Sequence, residues 1–366
     1  MEITFFIGNG LDLSLGLATK YKDFYDYLTA DDDLTSEDEK KYTLSEDNIF
    51  LQEIKKFMEN NSTIDVEEGD AEKIDWSDFE QALGAYTEKL KDTTDGERYL
   101  DDLQEFRKAF INYIATQESK FDINKDDAKT MFRNTAFYFY KDIRQQDENR
   151  IREFLKQTHN RTYNFNFINF NYTNTLTKII NHTDTISTSN GETYKAKAPI
   201  HVHRTLKTGT LLGVNDDKQI ANPSIFEADD KRDIIKPEMQ KYDDSTIVDE
   251  IDKQIERTHI FVVYGMSMGI TDKIWWEKIA NQVINYNKYL IINKHLTDEE
   301  KEEINTQPRS NRKFQESVQN EFVNNLDLKD EEKKRLLNKT FAIPRSDYIF
   351  QLDPSESKAW IYSSIL

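Results

Sequence analysis

The chain reads as an α/β protein. A parallel sheet of the doubly wound kind is interrupted after its first strand by a long helical insertion and followed by a helical C-terminal region. Three observations predict this. An apolar run from Ile3 to Ile7 has the length and composition of a buried strand, and it breaks at Gly8 and Gly10 before residues that can open a helix. From Lys20 to about His159 glycine is sparse, and apolar and aromatic residues recur at helical spacing between charged ones. Finally, His259 to Tyr264, then Ile274 to Val283, then Tyr289 to Ile292 read strand, helix, strand. That βαβ unit brings a right-handed crossover and a parallel sheet.

Taken in order, the first strand ends in Gly8-Asn9-Gly10-Leu11-Asp12, a turn where a missing Cβ lets backbone N–H groups approach an anion and the following helix start favours negative charge. The spacing is not G-x-G-x-x-G, because Leu13 precedes a third glycine at Gly16. In the helical stretch, Phe24, Tyr27 and Leu28, then Phe50, Ile54 and Phe57, then Phe106, Phe110 and Tyr113 mark apolar faces. The acidic runs Asp31 to Asp33 and Ser36 to Glu39 read as solvated loops or helix starts. Strand character returns at Tyr163 to Phe170, at Pro199 to His203 and at Leu211 to Val214, ahead of the βαβ unit. Thr297 to about Asn338 is charged and helical with a break near Pro308, and Tyr348 to Leu352 reads as an edge strand. There is no internal repeat. The expected division is a discontinuous nucleotide-binding core (1–20 with 160–295), a helical insertion domain (21–159) and a helical extension (296–366).

Charge and composition narrow the function. The 366 residues carry 68 acidic against 49 basic side chains, a formal net charge of -19, with no dense Lys/Arg block, which disfavours nucleic acid and anionic membranes as partners. The absence of cysteine excludes disulfides, thiol nucleophiles and cysteine-ligated zinc. No apolar run approaches the roughly 20 residues of a membrane span, and the first strand starts too early to leave room for a signal peptide. A cytoplasmic protein is expected.

Ligands of open α/β sheets bind beyond the carboxyl ends of the strands. The polar residues ending each run are Gly8 to Asp12, Asn171-Tyr172-Thr173-Asn174, His201-Val202-His203, Gly265-Met266-Ser267 and Asn293. Amide, imidazole and hydroxyl groups suit sugar hydroxyls and phosphates, and the set lacks the clustered carboxylates of a divalent-metal site. Each has a plainer reading. Asn171 could cap a helix, His203 could be a satisfied core histidine, and Gly265 with Ser267 could be an ordinary turn. His201 and His203 share a face if they lie in a strand, like a metal pair, but no third ligand has supporting spacing, so no metal is expected.

Together these stretches resemble known families. Gly8-Asn9-Gly10-Leu11-Asp12 with Gly16-Leu17-Ala18 looks like the sirtuin-type Gly-Ala-Gly-x-Ser…Gly-Ile-Pro opening, and Phe170 to Thr173 looks like the sirtuin Thr-x-Asn-x-Asp segment. His201-Val202-His203 falls where sirtuins carry His-Gly, Tyr264 to Met268 resembles their Gly-x-Ser-Leu turn, and Ile291-Ile292-Asn293 their late strand. A closer likeness is to the phage abortive-infection AbiH family, through Gly8 to Leu13, Asn171 to Leu176, Tyr264 to Met268 followed by Asp272, and Trp76-Ser77-Asp78-Phe79-Glu80.

The resemblance implies a sirtuin-like Rossmann fold that binds NAD, and a role in bacterial antiphage defence through cleavage of the nicotinamide–ribose bond. Carried over residue by residue, Gly8, Gly10 and Asp12 would line the pyrophosphate and ribose region, and Asn9, Gly16 and Thr173 would join them in binding the cofactor. Gly265, Ser267 and Asn293 would contact the adenosine half. Asn171 and His203 would be catalytic, Asn171 holding the nicotinamide ribose or the attacking water and His203 acting as base or as hydrogen-bond partner of a ribose hydroxyl. The chemistry is coherent, because departure of a cationic pyridinium leaves an oxocarbenium-like centre that needs positioning more than acid catalysis. The chain departs from the sirtuin pattern at Asp12, Thr173 and Arg204, and without cysteine it lacks the zinc module of a deacylase. NAD or a related nucleotide, with a second copy of the chain or a phage-derived trigger, are the partners implied. A competing reading keeps the pocket but not the chemistry, giving a non-catalytic nucleotide-binding or protein-interaction module.

Overall fold

The computed structural model describes residues 1–29, 42–62, 76–157, 161–203, 205–206, 212–214, 216–243, 246–268 and 272–352. The protein is mixed α/β. One eight-stranded sheet holds β1 (Glu2–Ile7), β2 (Thr162–Asn169), β3 (Ile186–Ser187), β4 (Thr193–Ala196), β5 (Ile200–His201), β6 (Ile260–Tyr264), β7 (Tyr289–Lys294) and β8 (Thr340–Pro344). The order is β3-β4-β2-β1-β6-β7-β8, with β5 also against β2, and every pairing is parallel except β3 with β4. β1 therefore lies inside the sheet. The chain builds outward from β1 on one side, then crosses back to lay β6 on the other.

Side-chain alternation divides β1 between two cores. Ile3, Phe5 and Ile7 enter the first, beneath helices Lys125–Tyr138, Gln145–Gln157 and Thr175–Asn181, and Phe6 enters the second. The second core takes Trp275, Trp276, Ile279 and Val283 from helix Lys273–Asn285, with Ile251 and Ile255 from Thr246–Arg257 and Val318 and Phe322 from Pro308–Asn324. A third core is almost entirely helical. Phe24, Phe50, Tyr99, Phe106 and Phe110 meet there at ring separations near 5.5 Å, among helices Tyr21–Thr29, Ile49–Ser62, Trp76–Tyr86 and Thr93–Ser119. Asp92 starts the longest of these by accepting from the N–H groups of Thr94 and Asp95.

Within the stretch 21–159 the two helices from Lys125 to Gln157 pack on the sheet, while the earlier helices form the third core. Two expectations are corrected. Leu211 to Val214 does not add a strand to the sheet. Leu211 lies outside the described residues, and Leu212 and Val214 sink into the helical core, where Val214 makes one isolated bridge to Ile235. A Cβ on Gly213 would lie 2.1 Å from the Ile234 carbonyl oxygen, so glycine permits that approach. The late edge strand is Thr340–Pro344 rather than Tyr348 to Leu352. In the latter segment the N–H groups of Tyr348 and Ile349 turn to Ser346 Oγ and that of Phe350 to Thr135 Oγ1, so they form no ladder. Among the described residues no helix is long and apolar enough to cross a membrane.

Candidate functional site

Parallel register aligns the strand ends. His201, Asn169, Ile7, Tyr264 and Asn293 follow one another across five strands, a row of about 19 Å at about 4.8 Å per strand. The turns beyond this row carry the candidate residues.

The turns after β1 and β6 interlock. Gly8 N–H donates to Tyr264 O at 3.0 Å and Gly10 N–H to Gly265 O at 2.9 Å. A Cβ on Gly10 would stand 2.4 Å from Gly265 Cα, and one on Gly8 would stand 2.6 Å from Gly265 O. Gly265 itself has φ +67. The glycines thus let two backbones touch, and the N–H groups of Gly8 and Gly10, expected to face an anion, are spent on that contact. Asn9 turns the other way, donating to Thr19 O at 2.8 Å and accepting from Thr19 Oγ1 at 2.6 Å. Gly16, at φ +83 with open space around it, forms the turn after the short helix Gly10–Ser14.

Asp12 is 1 % exposed and accepts from Thr173 Oγ1 at 2.7 Å and Thr175 Oγ1 at 2.5 Å. Burial pushes its carboxyl up to about 6, against the pull of the two hydroxyls. Asn171 is also buried. Its Nδ2 donates to Gly8 O at 3.0 Å and its backbone N–H to Asn169 Oδ1 at 3.1 Å, and Asn174, not Asn171, stands at the N-cap of the next helix.

The two histidines separate. β5 ends at His201, whose Nδ1 faces Asn171 O at 3.3 Å and whose Nε2 faces Thr177 Oγ1 at 3.1 Å, and burial lowers its pKa. His203 turns elsewhere. Its ring meets Phe170 edge-on at 5.5 Å and lies 5.9 Å from Tyr172, while Nε2 is 3.5 Å from Asp272 Oδ1. They are therefore not a metal pair on one strand face, and no group of three or more His, Cys, Asp or Glu suited to a metal occurs among the described residues. Arg204, beside His203 in sequence, lies outside the described residues. Ser267 is exposed. Asn293 is buried, and its Nδ2 has no hydrogen-bond partner.

His203 opens onto charges from distant segments. Lys236 Nζ sits 2.7 Å from Glu80 Oε2 and 3.9 Å from Asp272 Oδ1, so Glu80, Lys236, Asp272 and His203 form one chain. Glu80 comes from helix Trp76–Tyr86, which a close contact at Gly84 presses onto the carbonyl of Gln219. Lys236 opens the helix Lys236–Asp243. Arg107 holds the strip before it by donating to the carbonyls of Leu212 and Asp233, and Lys236 N–H donates to Val214 O at 2.8 Å. Burial raises the Glu80 carboxyl despite Lys236. Burial works to lower Lys236, but the two carboxylates outweigh it and hold the ammonium above its usual range. Burial works to raise Asp272, but Lys236 and His203 carry its carboxyl below the usual range. Tyr172, beside them, is held well above the phenol range by burial and by Glu80 and Asp272, so it stays a neutral hydroxyl.

The structure therefore joins Gly8, Gly10, Asn171 and Gly265 in one knot and Asp12 with Thr173 in another, and it points His203 at a group the strand-end reading had not included. Glu80 and Asp272 stood in the sequence as the closing residues of two motifs. Lys236, a single lysine before Pro237, carried no signal.

A family model described as Bacteriophage abortive infection AbiH matches residues 4–294. No curated protein matches the chain.

Proposed function

The chain belongs to the bacteriophage abortive infection family AbiH, whose description gives it a role in defence against phage, and from that premise we propose a cytoplasmic effector that binds NAD at the strand ends and hydrolyses its nicotinamide–ribose bond. The observation that carries this reading is His203 held against Asp272, beside Lys236 and Glu80, at the carboxyl side of a parallel sheet. An imidazole oriented by a carboxylate is a general base, and a carboxylate kept ionised stabilises the positive charge that develops as nicotinamide leaves.

Two further features support a dinucleotide. With the antiparallel β3 set aside and β4 and β5, which both pair with β2, taken as one position, the sheet runs β4/β5-β2-β1-β6-β7-β8, which in chain order is 3-2-1-4-5-6, the order of doubly wound dinucleotide-binding sheets. The strand-end row suits an elongated ligand, and at its far end Asn293 keeps a buried, unpaired amide donor. In this reading Asn293 and Ser267 serve the adenosine side, and His203 with Asn171 the nicotinamide ribose. A second copy of the chain or a phage-derived trigger would restrain or release the activity.

The test is nicotinamide release from NAD by purified protein, with His203→Ala and Asn171→Ala alongside, and NAD content during infection of cells that carry the gene. Release abolished by His203→Ala is the expected result. NAD that stays constant through a protective response would overturn the hydrolase. One observation favours the non-catalytic alternative, because Asn171 Nδ2 is already committed to Gly8 O. That reading expects ADP-ribose binding without nicotinamide release.

A further inference from the structure

A cavity of about 410 Å³ lies on the other side of the molecule from the glycine turns. It opens between the sheet, near the starts of β1, β2 and β4, and helices Lys125–Tyr138 and Gln145–Gln157. Ile3 lines it and Gly8 does not, a separation of about 17 Å along an extended strand. The volume falls among small-molecule sites, roughly 300–1,000 Å³.

Its walls combine flat rings and positive charge. Tyr163 and Tyr194 stack with centroids 4.9 Å apart and 18° between their planes, and Phe137 meets Tyr194 edge-on at 4.8 Å. Among the lining residues Glu192 is the one carboxylate, and it already accepts from Tyr194 OH at 3.0 Å and Tyr163 OH at 3.4 Å. Lys156 and Arg161 also line the cavity, and neither has an acidic partner among the described residues. Two cations with no acidic partner among the described residues, in a chain of net charge -19, are a local reversal of sign, the kind of place that collects an anion.

We infer that this cavity is a second ligand site, taking a planar aromatic phosphate whose ring lies against the tyrosine stack and whose phosphate lies between Lys156 and Arg161. Two cations match a phosphate monoester, which carries about -1.5 to -2 at neutral pH, better than a single carboxylate. The guanidinium adds a planar fork of donors that fits phosphate oxygens.

The experiment is calorimetric titration of the full chain with phenyl phosphate, with inorganic phosphate and phenol as separate arms. The double variant Lys156→Gln/Arg161→Gln is run beside the wild type. Both residues are exposed, so the substitutions leave the packing intact. Phenyl phosphate should bind at least tenfold more tightly than either fragment, and the double variant should lose at least tenfold in affinity. No binding at millimolar phenyl phosphate, equal binding of inorganic phosphate, or an affinity untouched by the double variant would each overturn the site.

Discussion

Asp12 and Asp272 are carboxylates at the same end of the same sheet, held in opposite ways. Asp12 is sealed among neutral donors, the hydroxyls of Thr173 and Thr175, and burial lifts its carboxyl to about 6. Asp272 keeps 18 % of its side chain exposed and faces Lys236 and His203, which hold it ionised. The first ties the segment after β2 to the turn after β1 and is sealed from solvent. The second retains its charge, an imidazole partner and a route to solvent. Position at a strand end therefore does not identify a reactive group. What distinguishes the two is whether the partners are neutral hydroxyls in a sealed site or charged groups beside solvent.

The contrast can be broken by substitution. Asp272→Asn should lower nicotinamide release about 10²- to 10⁴-fold, the usual share of an oriented proton-transfer group, whereas Asp12→Asn should leave the rate within a few-fold at equal folded fraction. Equal losses in steady-state assays would erase the distinction. Lys236→Ala strands Glu80 in the interior and should cost about 3–5 kcal/mol, while Lys236→Met combined with Glu80→Leu should be close to neutral. Urea denaturation compares the two, and a cost below about 1 kcal/mol for Lys236→Ala would mean that solvent already screens the cluster.

Asp12 has its own signature in pH. A carboxyl raised in the folded state gives stability that is complete below its unfolded pKa and is lost as pH rises to the folded value. From 3.8 to about 6, that fall is about 3 kcal/mol at 1.36 kcal/mol per unit. The stability of Asp12→Asn minus that of the wild type should therefore climb between pH 4 and pH 6 and flatten above. A flat difference would deny the burial effect. The smallest effects concern the glycines. Gly10→Ala meets the backbone of Gly265 and should cost about 1–3 kcal/mol, and Gly16→Ala, limited to the strain of positive φ, about 1 kcal/mol. Thermal melts rank the pair.

The sequence was legible where a single periodicity dominates. Ile3 to Ile7, Tyr163 to Phe170 and the βαβ unit stand within a residue or two of where their apolar and aromatic runs placed them, because β-branched and aromatic residues bounded by turn residues favour a buried strand. Leu211 to Val214 misled, since three apolar residues around a glycine look the same in a buried strand and in a loop folded into helices. At the site, the G-x-G turn was visible but its use was not. Nothing in the residues near Gly10 says that Gly265 arrives to occupy the space. Likewise Glu80 and Asp272 were visible as motif ends, but only the fold brings Lys236 between them, from a stretch with no pattern of its own.

The central position of β1 bears on how the protein is made. Its Ile3–Ile7 segment leaves the ribosome first, yet its partners in β2 and β6 follow about 160 and 250 residues later. At about 5–20 residues per second, the second partner trails by roughly 12–50 s. Through that interval the apolar run Ile3 to Ile7 lacks the strands that flank it in the folded sheet. The pair of turns that meets at Gly10 and Gly265 is completed only when most of the chain exists. A product interrupted before β6 therefore lacks the contacts of Gly8 with Tyr264 and of Gly10 with Gly265 that bring the strand-end turns together.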